Sequence, residues 1–290
     1  MEEILEEINT FVEWGGQEVV FTGINLGAWG SISSNDYKDS RLIELIEAVL
    51  ERTTLERLRI SSLGVEFLSD RLIALFAQPR INAYVHLSIQ SGSTRILWAM
   101  NRHYDAINVR EVLQKLRNMK REDHTLLNIG ADLIVGFPSE TAEDFADTEQ
   151  LVREYEITQL HAFPFSGHLD HYSVPAGSYP DQIPNHIAQS RLKHLLETGR
   201  QVFETFTRKN IGKKVRVLIE KVGKNAISSG SLIQDYPIAI NQPTTFSWWS
   251  KNYLFCNETN IELFPDQEIA RGKIVEWLYL HPIHAKIDGE

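Results

Sequence analysis

Hydrophobic positions over residues 1–165 alternate between a helical spacing and short apolar runs. Apolar residues at helical spacing over 2–14 predict a helix with a glutamate-rich solvent face, which Gly15 and Gly16 end. Short runs rich in β-branched residues predict strands over 17–22, 55–61, 82–89, 126–135 and 158–163. Further helices are predicted over 41–52, 69–77, 94–100, 107–120 and 142–155. Each strand ends in a glycine or polar corner, so the order predicts a parallel α/β barrel or part of one.

The clearest strand-to-helix corner lies in residues 128–145, NIGADLIVGFPSETAEDF. Its apolar run ends at Gly136, as expected of a parallel strand that is covered on both faces. Thr141 and Asp144 are close to a capping box, which predicts a helix from Ala142. Ligands bind at such corners because backbone N–H groups and a helix N-terminus converge there. Taken alone, the stretch fits a purely structural corner equally well.

The pattern changes after the fifth strand. Residues 167–184 contain three prolines and little periodicity, which is typical of a loop or linker, and a long helix is predicted over 186–208. Beyond Gly212, short alternating runs predict a small antiparallel barrel. These runs span 214–220, 226–234, 244–249, 253–256 and 272–280. The sequence therefore predicts two domains, 1–209 and 210–290.

Composition and charge limit the compartment and the binding partners that we expect for this protein. The formal net charge of −10 argues against loose binding to nucleic acid but allows a local basic groove. No run approaches the roughly 18–20 apolar residues of a membrane span, and the acidic N-terminus lacks the basic region of a signal peptide. The single cysteine, Cys256, sits in an apolar run that predicts a buried, inert thiol, and it excludes an internal disulfide. We therefore expect a cytoplasmic protein with no membrane partner.

Six segments occur in an order that resembles the methylthiotransferase family of radical S-adenosylmethionine (SAM) enzymes. They are TGINLGAWG from Thr22, LERLRISSL from Leu55, VHLSIQSGSTRIL from Val85, MNRHYD from Met100, DLIVGFPSETAEDF from Asp132 and LHAFPFS from Leu160. The resemblance covers about residues 1–210. It implies a partial, TIM-like (β/α)6 barrel that binds SAM across its strand ends. The tail resembles, less closely, the TRAM domain of that family, a small β-barrel that binds tRNA.

The resemblance also implies an activity. Members of the family use a [4Fe–4S] cluster to convert SAM into a 5′-deoxyadenosyl radical, and they methylthiolate an adenosine beside the anticodon of tRNA. The segments TGINLG and RISS resemble the subgroup that acts on N6-threonylcarbamoyladenosine. They are less similar to the subgroups that act on isopentenyladenosine or on a ribosomal-protein aspartate. The implied partner is the anticodon stem-loop of a tRNA.

Matching the motifs residue by residue implies a SAM pocket. The implied set is Thr22, Gly23, Asn25, Ser61, Gln90, Ser91, Ile134, Val135, Gly136, His161 and Phe163. Its first three members match the corner that meets the methionine amino group. Gln90 and Ser91 match the ribose side, residues 134–136 match the adenine edge, and 161–163 match the lip of the last strand. Gly23 and Gly136 let backbone approach a ligand closely, and Gln90 can bond hydroxyls; each glycine fits a plain turn as well.

Basic and aromatic residues of the tail form a candidate RNA-binding set. It consists of Lys213, Lys214, Arg216, Trp248 and Lys251. Lysine and arginine would contact phosphates, and a tryptophan face would stack on bases. Packing in the barrel core is the alternative for Trp248.

The departures from the family concern the cluster. The family holds it with three cysteines spaced CxxxCxxC, which this sequence lacks, and it carries a further N-terminal domain with a second cluster. Met1 aligns just downstream of the cluster loop. We therefore expect a barrel without its first strand, which leaves the strand at 17–22 as an open edge. Such a chain is inactive alone unless a missing N-terminal region or a separate chain supplies the cluster.

The sequence leaves alternative functions open. A cluster-free tRNA-binding or scaffold protein derived from the same family is the main alternative. A phosphate-binding α/β-barrel enzyme would need a phosphate site after the fifth strand, where the sequence offers none. No catalytic residue is predicted, and no metal site either, because His161, His168 and His171 are poorly spaced for structural zinc.

Two smaller features complete the expectations. Glu140, Glu143 and Asp144 are expected to complement the dipole of the helix that follows them. Ser88 and Ser139 stand where the resembling family usually has proline and glycine.

Overall fold

Strands and helices alternate along the N-terminal part of the chain, as their patterning predicts. The computed structural model describes residues 1–31, 40–166, 179–224, 244–250, 255–257, 261–263 and 274–279. The α-helices in these ranges are α1 Glu2–Glu13, α2 Leu42–Arg52, α3 Asp70–Leu75, α4 Thr94–Ala99, α5 Ala106–Asn118, α6 Ala142–Glu154 and α7 Asn185–Arg208. The first strands are β1 Glu18–Phe21, β2 Arg57–Ile60, β3 Tyr84–Gln90, β4 Asn128–Val135 and β5 Ile157–Pro164. All five predicted strands are present, with ends shifted by one or two residues.

The pairings of these strands are parallel throughout. β1 pairs with β2, and β3, β4 and β5 form a second sheet in that order. Isolated parallel bridges from Leu58 to Ile81 and from Leu63 to Leu87 connect the β2 region to β3. Among the described residues, β1 pairs with β2 alone. The predicted parallel α/β architecture is confirmed, and the strand ends face one direction.

Side-chain caps begin three of the helices where the sequence carries a capping residue. The Ser69 hydroxyl accepts from the Leu72 amide at the start of α3. A capping box with Asp105 opens α5, and the predicted box of Thr141 and Asp144 opens α6. These local contacts fix where the chain turns from a strand end into a helix.

The hydrophobic core lies on the helix side of the sheets. On β4, Ile129, Leu133 and Val135 are buried in one cluster with residues of α5 and α6. Asp132 and Ile134, which alternate with them, are only partly buried. The expectation that both faces of this strand are covered is therefore wrong toward its carboxyl end. We call the side opposite the helices the inner face.

The tail forms an antiparallel sheet that touches the first part of the chain. Its strands are β6 Lys214–Lys224, β7 Thr244–Ser250, β8 Phe255–Asn257, β9 Ile261–Leu263 and β10 Ile274–Tyr279, in the order β8-β7-β6-β10-β9. β9 was not predicted, and the predicted strand at 226–234 lies outside the described residues. Arg57 Nη2 donates to the Arg216 carbonyl at 3.1 Å, and the Ile274 amide donates to Gln17 Oε1 at 2.5 Å. No helix in the described part of the chain is long and apolar enough to cross a membrane.

Candidate ligand site at the strand ends

The carboxyl ends of β1 and β2 carry the first predicted SAM residues. Thr22, Gly23 and Asn25 are exposed directly after β1. A Cβ atom added at Gly23 would meet no atom closer than 3.9 Å, so this corner is open to a ligand. Ser61 is partly buried after β2, and its amide donates to the Phe21 carbonyl at 2.9 Å. The two corners are therefore held side by side.

The end of β3 has a backbone conformation that few residues adopt. Gln90 is 9% exposed and has φ of +73°, and its pairing with β4 shifts register at this point. A non-glycine residue in the left-handed region persists only where its surroundings hold it. The following Ser91 is fully buried, and its hydroxyl bonds the Thr148 hydroxyl at 3.3 Å. Thr148 also accepts from the Gly92 amide at 2.9 Å, so α6 anchors this corner.

The corner between β4 and α6 is closed by a buried carboxylate. Gly136 has φ of +70°, and its amide donates to Glu140 Oε2 at 2.8 Å. Arg191 on α7 donates to the same oxygen at 2.5 Å. Glu140 is 3% exposed, and burial raises the pKa of its carboxyl although both donors oppose the shift. The expectation that Glu140 complements the α6 dipole is wrong, since its carboxylate turns back to Gly136 and across to α7.

The other two acidic residues behave as expected of a helix start. Asp144 accepts from the Thr141 amide at 2.8 Å, and it also contacts Arg95 and the Ser93 hydroxyl. Burial alone would raise the pKa of Asp144, but these donors lower it to about 2. The pKa of Glu143 is lowered as well, chiefly by its backbone hydrogen bond. Ser139 has φ of +67°, a backbone conformation that favours glycine, which is the residue that the resemblance leads us to expect at this position.

The remaining predicted residues of β4 and β5 differ in what they can offer a ligand. Val135 is fully buried, and its carbonyl accepts from the Phe165 amide at 2.8 Å. Ile134 is partly buried, and it lies opposite Phe163 in the β4–β5 register. Phe163 is exposed, and the side chain of His161 is 60% exposed. The inner face thus presents Ile134, His161 and Phe163 next to the strand ends.

A polar network on the inner face was missed by the sequence reasoning. Asp132 accepts from Ser62 at 3.2 Å and from Ser88 at 3.1 Å through Oδ2, while its Oδ1 lies 2.9 Å from His86 Nε2. Burial raises the pKa of Asp132, but the hydrogen bonds from His86 and the two serines outweigh it and leave the pKa lowered. Polar residues at every second position of β3, at 84, 86 and 88, were the available signal.

The predicted RNA-binding residues are spread over the antiparallel sheet and its approach. Lys213 and Lys214 are exposed at the start of β6. Arg216 forms an ion pair with Glu56, so its charge is already engaged within the chain. Trp248 lies on β7 opposite Ile219 and Cys256, and Lys251 lies outside the described residues.

Comparison with known proteins places the chain in a superfamily. The family model described as the Radical SAM superfamily matches residues 1–152. The chain therefore belongs to the radical SAM superfamily, as its motifs predicted. An Escherichia coli radical SAM enzyme of solved structure, coproporphyrinogen III oxidase (HemN), has a TM-score of 0.47 and 14% identity over 81% of this chain and 54% of that one. A TM-score below 0.5 marks only a loose likeness of shape.

Curated relatives of the chain within the superfamily include two kinds of tRNA-modifying enzyme. The threonylcarbamoyladenosine tRNA methylthiotransferase MtaB of Rickettsia prowazekii is 35% identical over 218 residues, covering 75% of this chain and 49% of that protein. A tRNA-2-methylthio-N(6)-dimethylallyladenosine synthase of Thermotoga petrophila is 34% identical over 242 residues, covering 82% and 52%. The chain spans about half the length of the curated relatives it matches. The resemblance to tRNA methylthiotransferases is confirmed, but identity alone does not separate their two substrate types.

Proposed function

We propose that this chain is the SAM-binding part of a tRNA methylthiotransferase, together with a tRNA-binding tail. The proposed substrate is N6-threonylcarbamoyladenosine beside the anticodon, and the proposed compartment is the cytoplasm. Residues 1–209 would form a partial radical SAM barrel, and residues 210–290 would form a TRAM-like barrel. The observation that carries the proposal is the row of five parallel strand ends. It brings Thr22, Asn25, Gln90 and Ile134 to one end of the sheets.

The residues at this edge fit SAM in different ways. Thr22 and Asn25 are exposed polar side chains that can bond an amino or carboxylate group. The surroundings of Gln90 hold its backbone in the left-handed region, and its side-chain amide can bond ribose hydroxyls. Ile134 and Phe163 offer apolar surface to the adenine ring. Because the Gly136 amide and the Ser91 hydroxyl already have partners within the chain, we propose that neither is a principal SAM contact.

The iron–sulfur cluster does not fit the residues of this chain. A [4Fe–4S] cluster is held by several cysteine thiolates, and the sequence contains Cys256 alone, in β8 of the antiparallel sheet. We therefore propose that the 290 residues bind SAM but do not cleave it by themselves. The cluster would have to come from an N-terminal region outside this sequence or from a separate chain.

The tail is proposed to bind the anticodon stem-loop of tRNA. Lys213 and Lys214 are exposed cations at its first strand, and β7 places Trp248 in the same sheet. Contacts of this kind combine phosphate attraction with stacking, and their affinity falls with salt. A second candidate, a cluster-free tRNA-binding protein, is favoured by the same cysteine content that argues against autonomous SAM cleavage.

Two measurements on the full chain test these proposals. Equilibrium dialysis with labelled SAM should show saturable binding, and Asn25→Ala should weaken it by about two- to tenfold, as expected for one lost hydrogen bond. Asn118→Ala, an exposed asparagine at the end of α5, is the matched control and should leave SAM binding unchanged. After anaerobic reconstitution with iron, sulfide and a reductant, the chain should form no 5′-deoxyadenosine.

The outcomes separate the candidates. Formation of 5′-deoxyadenosine above background would refute the proposal that the chain cannot start the chemistry. Absence of SAM binding would refute the SAM pocket. In that case, salt-dependent binding of an anticodon stem-loop would support the cluster-free tRNA-binding protein.

A further inference from the structure

Three potential metal ligands lie together on the inner face, on three adjacent strands. His86 is on β3, Asp132 on β4 and His161 on β5. In the parallel register Asp132 lies directly opposite His161, and His86 lies opposite Gly130, two positions before Asp132. Residues two apart on a strand share a face, so the sheet itself brings the three side chains together.

Two of the three separations between their ligand atoms are close to those found around a metal ion. His86 Nε2 lies 2.9 Å and His161 Nδ1 lies 3.4 Å from the same oxygen, Asp132 Oδ1. All three atoms lie within 4.8 Å of one another. A zinc ion bound at about 2.0–2.2 Å by imidazole and carboxylate ligands holds neighbouring ligand atoms about 3.0–3.5 Å apart. Two of the observed separations, 2.9 and 3.4 Å, lie in or next to this range, and the third is within 4.8 Å.

Neighbouring hydroxyl groups contact two of the three ligands and fix their orientation. The second oxygen of Asp132 accepts from Ser62 at 3.2 Å and from Ser88 at 3.1 Å, which leaves Oδ1 turned toward the histidines. The Tyr84 hydroxyl lies 2.6 Å from His86 Nδ1. When that hydroxyl accepts a hydrogen bond from Nδ1–H, the Nε2 atom carries the lone pair and can bind a metal. Such outer partners fix the orientation and tautomer of metal ligands.

Glycine at position 130 makes this arrangement sterically possible. A Cβ atom added at Gly130 would come within 2.2 Å of the Tyr84 hydroxyl and 2.6 Å of His86 Nδ1. The packed pair of Tyr84 and His86 therefore depends on a residue without a side chain on the adjacent strand. His161 completes the site from the solvent side, with its ring centroid 4.5 Å from that of His86.

We propose that His86, Asp132 and His161 bind a divalent first-row transition ion, with Zn²⁺ as the best match. Two neutral imidazoles and one carboxylate are borderline ligands that suit Zn²⁺ better than Mg²⁺ or Ca²⁺. Three protein ligands leave a coordination position for water, as in zinc sites that are open to a substrate. The exposed ring of His161 gives the ion a path from solvent. His161 also belongs to the implied SAM pocket, but all three ligands of the ion are side chains of this chain, so its binding does not require the proposed methylthiotransferase function.

The test uses the tag-free full chain after removal of metal with a chelator. Zn²⁺ added in competition with a chromophoric chelator should bind one ion per chain. Co²⁺ should give the intense visible bands of a low-coordinate site. His161→Ala and Asp132→Asn should each weaken Zn²⁺ binding by at least about tenfold and abolish the Co²⁺ bands. Circular dichroism checks that both variants are folded; His161→Ala removes an exposed ring and should fold normally.

A matched control tests whether an exposed histidine beside a carboxylate elsewhere in the chain contributes to Zn²⁺ binding. His194→Ala removes a histidine of similar exposure, 57%, that lies 3.0 Å from the Glu149 carboxylate outside the trio. This variant should bind Zn²⁺ like the unaltered chain. The proposal is overturned if the unaltered chain binds no ion more tightly than the competing chelator. It is also overturned if both trio variants bind as well as the control, since the ion would then lie elsewhere, for example at His168 or His171.

Discussion

Removing Arg191 should leave the buried Glu140 carboxylate at the corner between β4 and α6 without its cationic partner, and this should lower the free energy of unfolding. Arg191 Nη1 donates to Glu140 Oε2 at 2.5 Å and to the Glu140 carbonyl at 3.1 Å. Arg191→Met keeps an unbranched side chain at this position but removes the positive charge, whose guanidinium carbon lies 5.7 Å from the centroid of the Phe145 ring. Loss of one partner of a buried ion pair costs about 3–5 kcal/mol, because it leaves an uncompensated charge. We expect a loss of that size in the free energy of unfolding at about pH 8.

The loss should depend on pH in a defined direction. Burial already raises the pKa of Glu140, and Arg191 is one of the groups that oppose the rise, so its removal raises the pKa further. A carboxyl with a raised folded-state pKa contributes its stability fully below its unfolded pKa and loses it as the pH rises through the folded pKa. The loss of unfolding free energy caused by Arg191→Met should therefore become smaller as the pH falls from about 8 toward the ordinary pKa of a glutamate side chain.

Urea unfolding followed by circular dichroism measures both effects. Glu140→Gln combined with Arg191→Met should recover at least about 2 kcal/mol relative to Arg191→Met alone, since the amide is neutral and still accepts from Gly136. Arg200→Met is the control on the same helix. It breaks exposed pairs, including one to Glu197 at 2.6 Å, and should leave the free energy of unfolding nearly unchanged. Equal losses in the Arg191 and Arg200 variants, or a loss that does not change with pH, would refute the reasoning.

Two further predictions concern the same corner. Gly136→Ala should lower the free energy of unfolding by about 1–3 kcal/mol, because φ is +70° and the new methyl group would meet Ala188 Cβ at 2.6 Å. Adding Ala188→Gly should restore only the steric part in thermal melts, and full restoration would show that the backbone is unstrained. Thr141→Ala removes the hydroxyl that accepts from the Asp144 amide at 3.2 Å and should cost about 1 kcal/mol. Thr205→Ala, whose exposed hydroxyl bonds the Gln201 carbonyl within α7, should be nearly neutral, and an equal effect of both would contradict the cap.

Local chemistry explains why the strand and helix order could be predicted. The corner at 128–145 combines a β-rich run, a glycine and a capping pair, and the structure has β4 end at Val135 and α6 begin at Ala142. Each of those signals acts over a few residues, so one sequence is enough to read it. β9 escaped prediction because three residues are too short to show a period.

Contacts between distant positions explain what could not be predicted. Glu140 was assigned to the helix start, but its partner Arg191 lies 51 positions away on α7. Asp132 meets Ser62 and His86 from 70 and 46 positions away. None of these three partners is visible in local spacing, because strand register and helix packing bring the groups together only in the folded chain. The polar alternation of β3 pointed to a polar face, but not to the residue across from it.

The same long-range contacts decide where a ligand can be recognised at the strand ends. At the β4 corner the Gly136 amide bonds Glu140, and the Val135 carbonyl accepts from Phe165. At the β3 corner the Ser91 hydroxyl is bonded to Thr148 and fully buried. The Gly136 amide, the Val135 carbonyl and the Ser91 hydroxyl are therefore engaged within the chain, and they shape the site more than they bind a ligand. Polar recognition should come instead from the open corner after β1, from the Gln90 side chain and from the inner face that Asp132 and His161 line.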